Sequence, residues 1–265
     1  MKILILSFLL VSVCLTLQAQ ENLTEAINIF TKSNQTAFYS GKDCVCKIRM
    51  IIKNKHGKIR ERHFITLRKS EKKTHNQKFF MYFLRPTDVR SMSIMTWKNT
   101  ETTDKRWLYL SALDTIKRIA PSRKRTSFVG SNFYYEDTTG RNINEDNHQL
   151  LKTTDEYYIF KNIPKAPSSV EFIYYIVWIN RANYLPIKFI YYNKEKQKYR
   201  IIQALRLKNI QGYPTIIKQE ALDLIRNEKT TIYVDKIKYN NNLDESMFTQ
   251  TSLRHPPQKW ISFDE

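Results

Sequence analysis

Four features of this sequence could do chemistry: two cysteines one residue apart, a pair of adjacent acids, a knot of cations and a crowd of aromatic rings. The cysteines are Cys44 and Cys46, in Cys-Val-Cys. In a strand, positions i and i+2 face the same side, so both thiols point one way. A bridge between them is strained, because parallel side chains hold their Cα atoms at the long end of the allowed separation. A strained bridge is oxidising and labile, which is a redox-active reading. The plainer reading is two small buried residues in a first strand. The acids, Glu136-Asp137, offer half of an acid–base pair. The commoner use of adjacent acids at a loop or helix start is as caps and salt-bridge partners.

Other catalytic signatures are missing from the sequence. Its five histidines are His56, His63, His75, His148 and His255. They form no HExxH and no pair with metal-ligand spacing. There is no GxSxG elbow, and neither GxGxxG nor GxxxxGK[ST] occurs in a chain with only five glycines. No cofactor, no metal and no enzymatic activity are expected.

The densest stretch is RTSFVGSNFYYED, residues 125 to 137. Phe128, Phe133, Tyr134 and Tyr135 crowd around Gly130. Arg118, Arg123, Lys124 and Arg125 precede the rings, and Glu136 and Asp137 follow. The elements that must position this stretch are mostly strands. Leu23, Ala26, Ile27, Phe30, Ala37 and Phe38 recur at helical spacing and predict one amphipathic helix over about 23 to 38. Alternation then predicts strands over 44–53, 58–68, 78–84, 91–97, 106–110 and 115–119. After a break at 120–150 they resume over 156–162, 169–180, 185–193, 199–210, 213–225 and 230–239, spaced as an antiparallel meander. The end, DESMFTQTSL, reads as a short turn of helix and a last edge segment. Many strands carry aromatics on both faces, as in Tyr174 against Tyr175 and Tyr191 against Tyr192. A sheet with one solvated face is more polar on that face. One face is therefore expected to line an interior, and the other to meet a helix or a partner.

Residues 1–19 read as a cleaved signal peptide: Lys2, an apolar run from Ile3 to Leu17, then Ala19 before the cut. The run is short for a membrane span. Cys14 lacks the small preceding residue of a lipidation signal, since Val13 stands there. Residues 20–265 then form a single domain long enough for a sizeable core. The formal charge of the chain is +19, and Lys2 leaves with the signal. That balance suits anionic membrane surfaces or acidic partners. Export argues against nucleic acid, and a Lys-, Asn-, Ile- and Tyr-rich composition is also what an AT-rich genome gives unaided.

Five segments, FLRPTDVRSMSIMTW, DKRWLYLSALDTIKRI, RTSFVGSNFYYED, WINRANYLPIKFIYYNKEKQ and LDESMFTQTSL, occur here in an order that resembles the outer-membrane lipoprotein-sorting proteins of the LolA-like family. The likeness runs from about Asp43 to Leu253. The chain departs from it at Ser91, where the family usually has Gly, and at Ser111, where it usually has Pro. The resemblance implies a mainly β fold with helices, an incomplete antiparallel β-barrel (LolA/LolB-like) whose open side is closed by a helical plug or lid. It also implies a periplasmic carrier or chaperone. Its ligand would be a lipid or lipoprotein acyl chain, with an inner-membrane exporter and an outer-membrane acceptor as further partners. Each buried CH₂ contributes roughly 0.8 kcal/mol, so about 14 buried methylenes represent on the order of 11 kcal/mol gross. A movable apolar plug would let a carrier both hold and release that chain. On this expectation residues 120–137 are the plug or cavity rim. Phe128, Gly130, Phe133, Tyr134 and Tyr135 belong to it, and Trp97, Trp107, Tyr109 and Trp178 belong to the cavity wall. Arg118, Arg123, Lys124 and Arg125 would face a headgroup or acidic partner, each worth about 1 kcal/mol near an anionic surface. The alternatives are a non-transporting partner of an envelope exporter, and an envelope hydrolase acting through Glu136 or Asp137.

Overall fold

The computed structural model describes residues 24–71, 74 and 76–262. The signal peptide expected over 1–19 lies outside these residues. Helix α1 covers residues 24–38. The first run of strands is β1 (Asp43–Lys53), β2 (Ile59–Ser70), β3 (Gln77–Arg85), β4 (Ser93–Lys98), β5 (Lys105–Leu110) and β6 (Thr115–Ile119). The second is β7 (Asp146–Thr153), β8 (Tyr157–Pro164), β9 (Tyr174–Asn180), β10 (Pro186–Tyr192), β11 (Lys198–Ile210), β12 (Tyr213–Asp223) and β13 (Glu228–Tyr239). Between the runs lies α2 (Tyr135–Thr139), and α3 (Gln250–Arg254) and α4 (Gln258–Ile261) follow the last strand.

Among the described residues all thirteen strands form one sheet, in the order β6-β5-β4-β3-β2-β1-β13-β12-β11-β10-β9-β8-β7. The chain enters at the middle, meanders to one edge, crosses to the other edge and meanders back. β1 and β13, its first and last strands, pair antiparallel from Cys44↔Tyr239 to Lys53↔Lys229. β6 and β7 sit at the ends and do not meet, so the curved sheet is an unclosed barrel. Bulges bend a strand and increase its twist. They fall at Lys47/Ile48, His63/Phe64, Leu150/Lys152, Pro186/Lys188, Tyr191/Tyr192 and twice between Ala204 and Leu207.

Strand alternation gives the sheet an apolar cluster on each face, the convex one over its first strands. On the concave side Met50, Phe64, Met81, Val177, Tyr191 and Ile232 join Ala26 and Ile29 of α1 and Phe128 and Phe133 of the crossover in one apolar cluster. On the convex side Val45, Ile65, Leu67, Phe80, Met95 and Trp107 pack beneath Leu243, Phe248 and Leu253. The tyrosine pairs divide accordingly. Tyr175 and Tyr191 meet inside at 5.2 Å, while Tyr174 and Tyr192 stack outside at 4.5 Å.

Twelve of the thirteen strands lie where alternation places them, and the helix over 24–38 is present. Strand β7 falls inside the stretch expected to break the pattern. Its sequence, DNHQLLKT, is largely exposed and carries too little apolar alternation to read as a strand. The strand expected over 169–180 starts at Tyr174, because Pro167–Ser169 forms a 3-10 turn. The chain ends in α3 and α4 rather than in an edge segment. Ser91, where the LolA-like family has Gly, adopts φ +64°, the left-handed region that glycine enters freely.

Leu253, on α3, is fully buried against the convex face, and its carbonyl accepts a 2.7 Å hydrogen bond from the Ser93 hydroxyl on β4. Replacing it by alanine is expected to cost about 2–5 kcal/mol in chemical denaturation. A loss below about 1 kcal/mol would show that the convex cap is not part of the folded core.

Candidate functional site

The candidate site is a cavity of about 310 Å³ between α1 and the concave face. That volume is at the lower end of small-molecule sites, about 300–1,000 Å³. Its roof is the inner side of α1, through Phe30, Ser33, Ala37 and Phe38. Its floor is the inward set of the central strands, including Cys44, Cys46 and Ile48 of β1 and Val234 of β13. One wall is the crossover, through Phe128, Phe133 and Thr138. The other follows a split in the sheet. β10 pairs with β11 only from Lys188↔Gln203 to Tyr192↔Lys198, whereas β11 continues with β12 as far as Ile210↔Tyr213. Leu185, Pro186 and Ile187 border the cavity on one side of this split, and Ala204 and Ile216 on the other.

A family model whose description reads "Uncharacterized protein" matches residues 75–255. In solved structures, a DUF1329 family protein from Desulfovibrio piger superposes with a TM-score of 0.80 at 22% identity, over 88% of this chain and 99% of the other. A putative outer membrane lipoprotein-sorting protein domain from Vibrio parahaemolyticus gives 0.79 at 22% identity, over 88% and 100%. A LolA superfamily protein from Nitrosomonas europaea gives 0.66 at 16% identity, over 85% and 98%. The chain belongs to the matched family, and its fold is LolA-like. No curated protein matches it by sequence.

Within this LolA-like fold the RTSFVGSNFYYED stretch is the crossover from β6 to β7. Phe128 and Phe133 are 1% and 3% exposed and reach the cavity. Tyr135 packs edge-on against Phe128 at 5.6 Å, and Tyr134 lies between the guanidinium groups of Arg125 and Arg200. Val129 and Gly130 both have positive φ, which makes the tight bend. Gly130 itself is exposed, and its carbonyl accepts from Arg60 at 3.1 Å.

Other expected site residues lie elsewhere. Trp97, Trp107 and Tyr109 belong to the convex cluster, not the cavity wall. Trp97 and Trp107 pack on each other at 5.0 Å, and the Trp97 indole donates to the Phe248 carbonyl at 3.0 Å. Trp178 alternates with the inward Val177 and Ile179, and its ring sits 5.6 Å from the Lys188 ammonium on the outer face. Strand parity alone cannot say which of two apolar faces is concave, and these four residues have the convex parity. The cations divide too. Arg118 and Arg123 are exposed, as headgroup contact requires. Lys124 and Arg125 instead turn inward to ion pairs.

Those ion pairs centre on Glu136, which is 3% exposed. Its carboxylate meets Arg125 at 2.5 Å, Lys124 at 3.0 Å and Arg141 at 3.1 Å. Arg125 continues to Glu171 at 2.6 Å, and Arg141 to Asp146 at 2.8 Å. Asp137 caps α2 by accepting from the Tyr134 backbone N–H at 2.6 Å and also pairs with Arg200. Both acids therefore act as cap and salt-bridge partners, with their oxygens already engaged by cations.

Burial by itself raises the Glu136 carboxyl, but Arg125, Arg141 and Lys124 together hold it at about 2, below its ordinary 4.5. A folded-state value below the unfolded one adds stability that is present above about pH 4.5 and lost as pH falls toward 2. Glu136→Gln puts a neutral amide among three partly buried cations and is expected to cost about 3–5 kcal/mol at pH 7. The difference from the parent should shrink between pH 4.5 and 2 in denaturant titrations. Equal stability of the two proteins at pH 7 would remove the cluster's structural role.

Proposed function

We propose that this protein is a periplasmic carrier that holds an acyl chain of a lipid or lipoprotein in its concave cavity and hands it on toward the outer membrane. The observation that carries this reading is the cavity: about 310 Å³, lined by more apolar than polar residues, Phe and Ile foremost, and bordered by a split between β10 and β11. No charged side chain sits alone in it to select a polar ligand. Arg68, Glu136, Asp137 and Arg141 at its edge are bonded to protein partners. The 22% identical Vibrio relative is named for lipoprotein sorting, and the shared fold supports the same class of task here. No described helix is long and apolar enough to cross a membrane. Exposed Arg118 and Arg123 supply positive charge toward an anionic surface or an acidic partner.

Release requires a part that moves. The crossover was the expected plug, but it is fastened by the Glu136 cluster, by Asp137–Arg200 and by the Asn132 backbone N–H to Thr230 at 2.9 Å. Helix α1 suits the moving role better. Its C-terminal end is anchored: Arg68 donates to the Phe38 carbonyl at 3.0 Å, and the Gln77 amide to the same oxygen at 2.7 Å. Gly41, at φ +68°, follows as a hinge. Toward its start, α1 touches the core through Ala26, Ile29 and the ring of Phe30, which stacks on His148 at 4.0 Å. An entering acyl chain replaces these contacts with equivalent apolar ones, so opening costs little once the ligand is in place.

Native mass spectrometry of protein purified from cells should find a bound acyl lipid. After delipidation, the protein should bind a fluorescent long-chain fatty acid, and Ala204→Trp, which fills the cavity at the split, should weaken binding about tenfold or more, at least 1.4 kcal/mol. Hydrogen exchange should change on loading over 24–38 and stay constant over 120–137. Absence of acyl binding in both the cell-derived and the delipidated protein would overturn the carrier reading. Constant exchange over 24–38 with changed exchange over 120–137 would return the moving role to the crossover.

A further inference from the structure

The cavity wall contains a chemical device that carrying a hydrocarbon chain does not need. Cys44 and Cys46 stand on the inward face of β1, 6% and 8% exposed, and both line the cavity. Their sulfurs are 3.8 Å apart, unbonded, with the Cys46 thiol donating to the Cys44 sulfur. A second donor converges on the same atom: Arg68 Nε, 3.4 Å away. Arg68 is itself 5% exposed, and its other hydrogen bonds run to neutral oxygens of Phe38, Ser40 and Ser70. A buried guanidinium calls for an anion. The group placed to be that anion is the Cys44 thiolate. The Asp43 carboxylate, one residue away, is taken up by Asn241 and by the Leu243 N–H.

We propose that Cys44 and Cys46 form a thiol–disulfide exchange site reached through the cavity, with Cys44 the attacking thiolate and Cys46 the resolving thiol, acting on small disulfides. The Cys44 thiolate attacks one sulfur of the incoming disulfide. That sulfur–sulfur bond breaks, and the first thiol leaves as a thiolate that takes up a proton. Cys46 then loses its proton and attacks the Cys44 sulfur, releasing the second thiol and closing the Cys44–Cys46 bond. The protein dithiol is oxidised by two electrons and the incoming disulfide is reduced to two thiols. The division of labour follows from the hydrogen bonds. The donated Cys46 proton, with Arg68 alongside, draws the Cys44 thiol down against the upward push of burial, and the same bond, with burial, pushes Cys46 up. The low-lying thiol attacks and the high-lying one waits.

Oxidation also removes the anion facing Arg68, the residue that fastens the carbonyls of Phe38 and Ser40 at the end of α1. The pair therefore sits where its redox state acts on the hinge of the cavity roof.

The test uses the full chain with Cys14→Ser, so that this pair alone reports. After bis(2-hydroxyethyl) disulfide, mass spectrometry should show a protein lighter by two hydrogens that takes up no alkylating reagent, with amide exchange increased over 36–42. Cys46→Ser should trap a mixed disulfide on Cys44, and Cys44→Ser should leave Cys46 reacting about tenfold more slowly or less. Two alkylatable thiols remaining after a large excess of bis(2-hydroxyethyl) disulfide, with no added thiol, would overturn the proposal without any variant. Equal reaction rates in the two single variants would overturn the assigned roles. The protein is delipidated before the assay, so both results are independent of the carrier reading.

Discussion

A chain that enters and leaves its sheet at the centre must carry one connection from edge to edge, and here that connection crosses an oily concave face. β1 and β13 are neighbours, β6 and β7 are the edges, and residues 120–145 span between them. Backbone and charges brought over such a face lose water and must find partners within the protein. Three cations around Glu136 and the Asp137–Arg200 pair meet that demand. The aromatic rings meet the other demand, presenting apolar surface to the cavity from a segment that is neither helix nor strand. Opposite charges and crowded rings in one short stretch are thus two consequences of a single topological requirement.

The cavity survives because its lining is small or held back. Protein interiors ordinarily pack to crystal density. Where strands of this sheet face α1, the inward positions include Cys44, Cys46, Thr66, Ala204 and Thr215, and α1 answers with Ser33 and Ala37. Larger rings are placed beside the void rather than across it: Phe64 and Phe83 stack on each other at 4.8 Å, and Phe128 sits against both. The irregularity at Pro186/Lys188 in β10 and those between Ala204 and Leu207 in β11 fall where the two strands part. Side-chain size and strand geometry therefore keep the same space open.

Most of the fold was legible because its strands alternate and because Gly, Asn and Pro punctuate them. β7 was not, since an exposed edge strand such as DNHQLLKT needs few apolar residues and owes its form to pairing with β8. The crossover was legible as an anomaly, and Phe128 and Phe133 as its buried rings. The four outlying aromatics were misplaced for a reason internal to the fold: both faces of this sheet carry apolar rings, so a ring at either parity looks like core. Only the C-terminal helices distinguish the faces, and their docking on Trp97, Phe80 and Met95 is a long-range event with no local signature. Lys124 and Arg125 were misread in the same way, because a run of cations looks solvated until the acids eleven or more residues on are folded against it.

Buried charge is handled in two different ways around one cavity. At the crossover each inward-turned cation has a carboxylate, so the segment is rigid over the range in which carboxylates stay ionised. At the hinge of α1 the buried cation, Arg68, has neutral oxygens and one sulfur, whose charge is conditional on its oxidation state. A rigid wall facing a roof with a conditional anchor is the arrangement a container needs if it is to open at one defined side. The wall keeps the space from collapsing while the roof exchanges its own apolar contacts for those of a guest. If both sides were fastened by carboxylates the cavity would stay shut, and if neither were, α1 would fill the space it now covers.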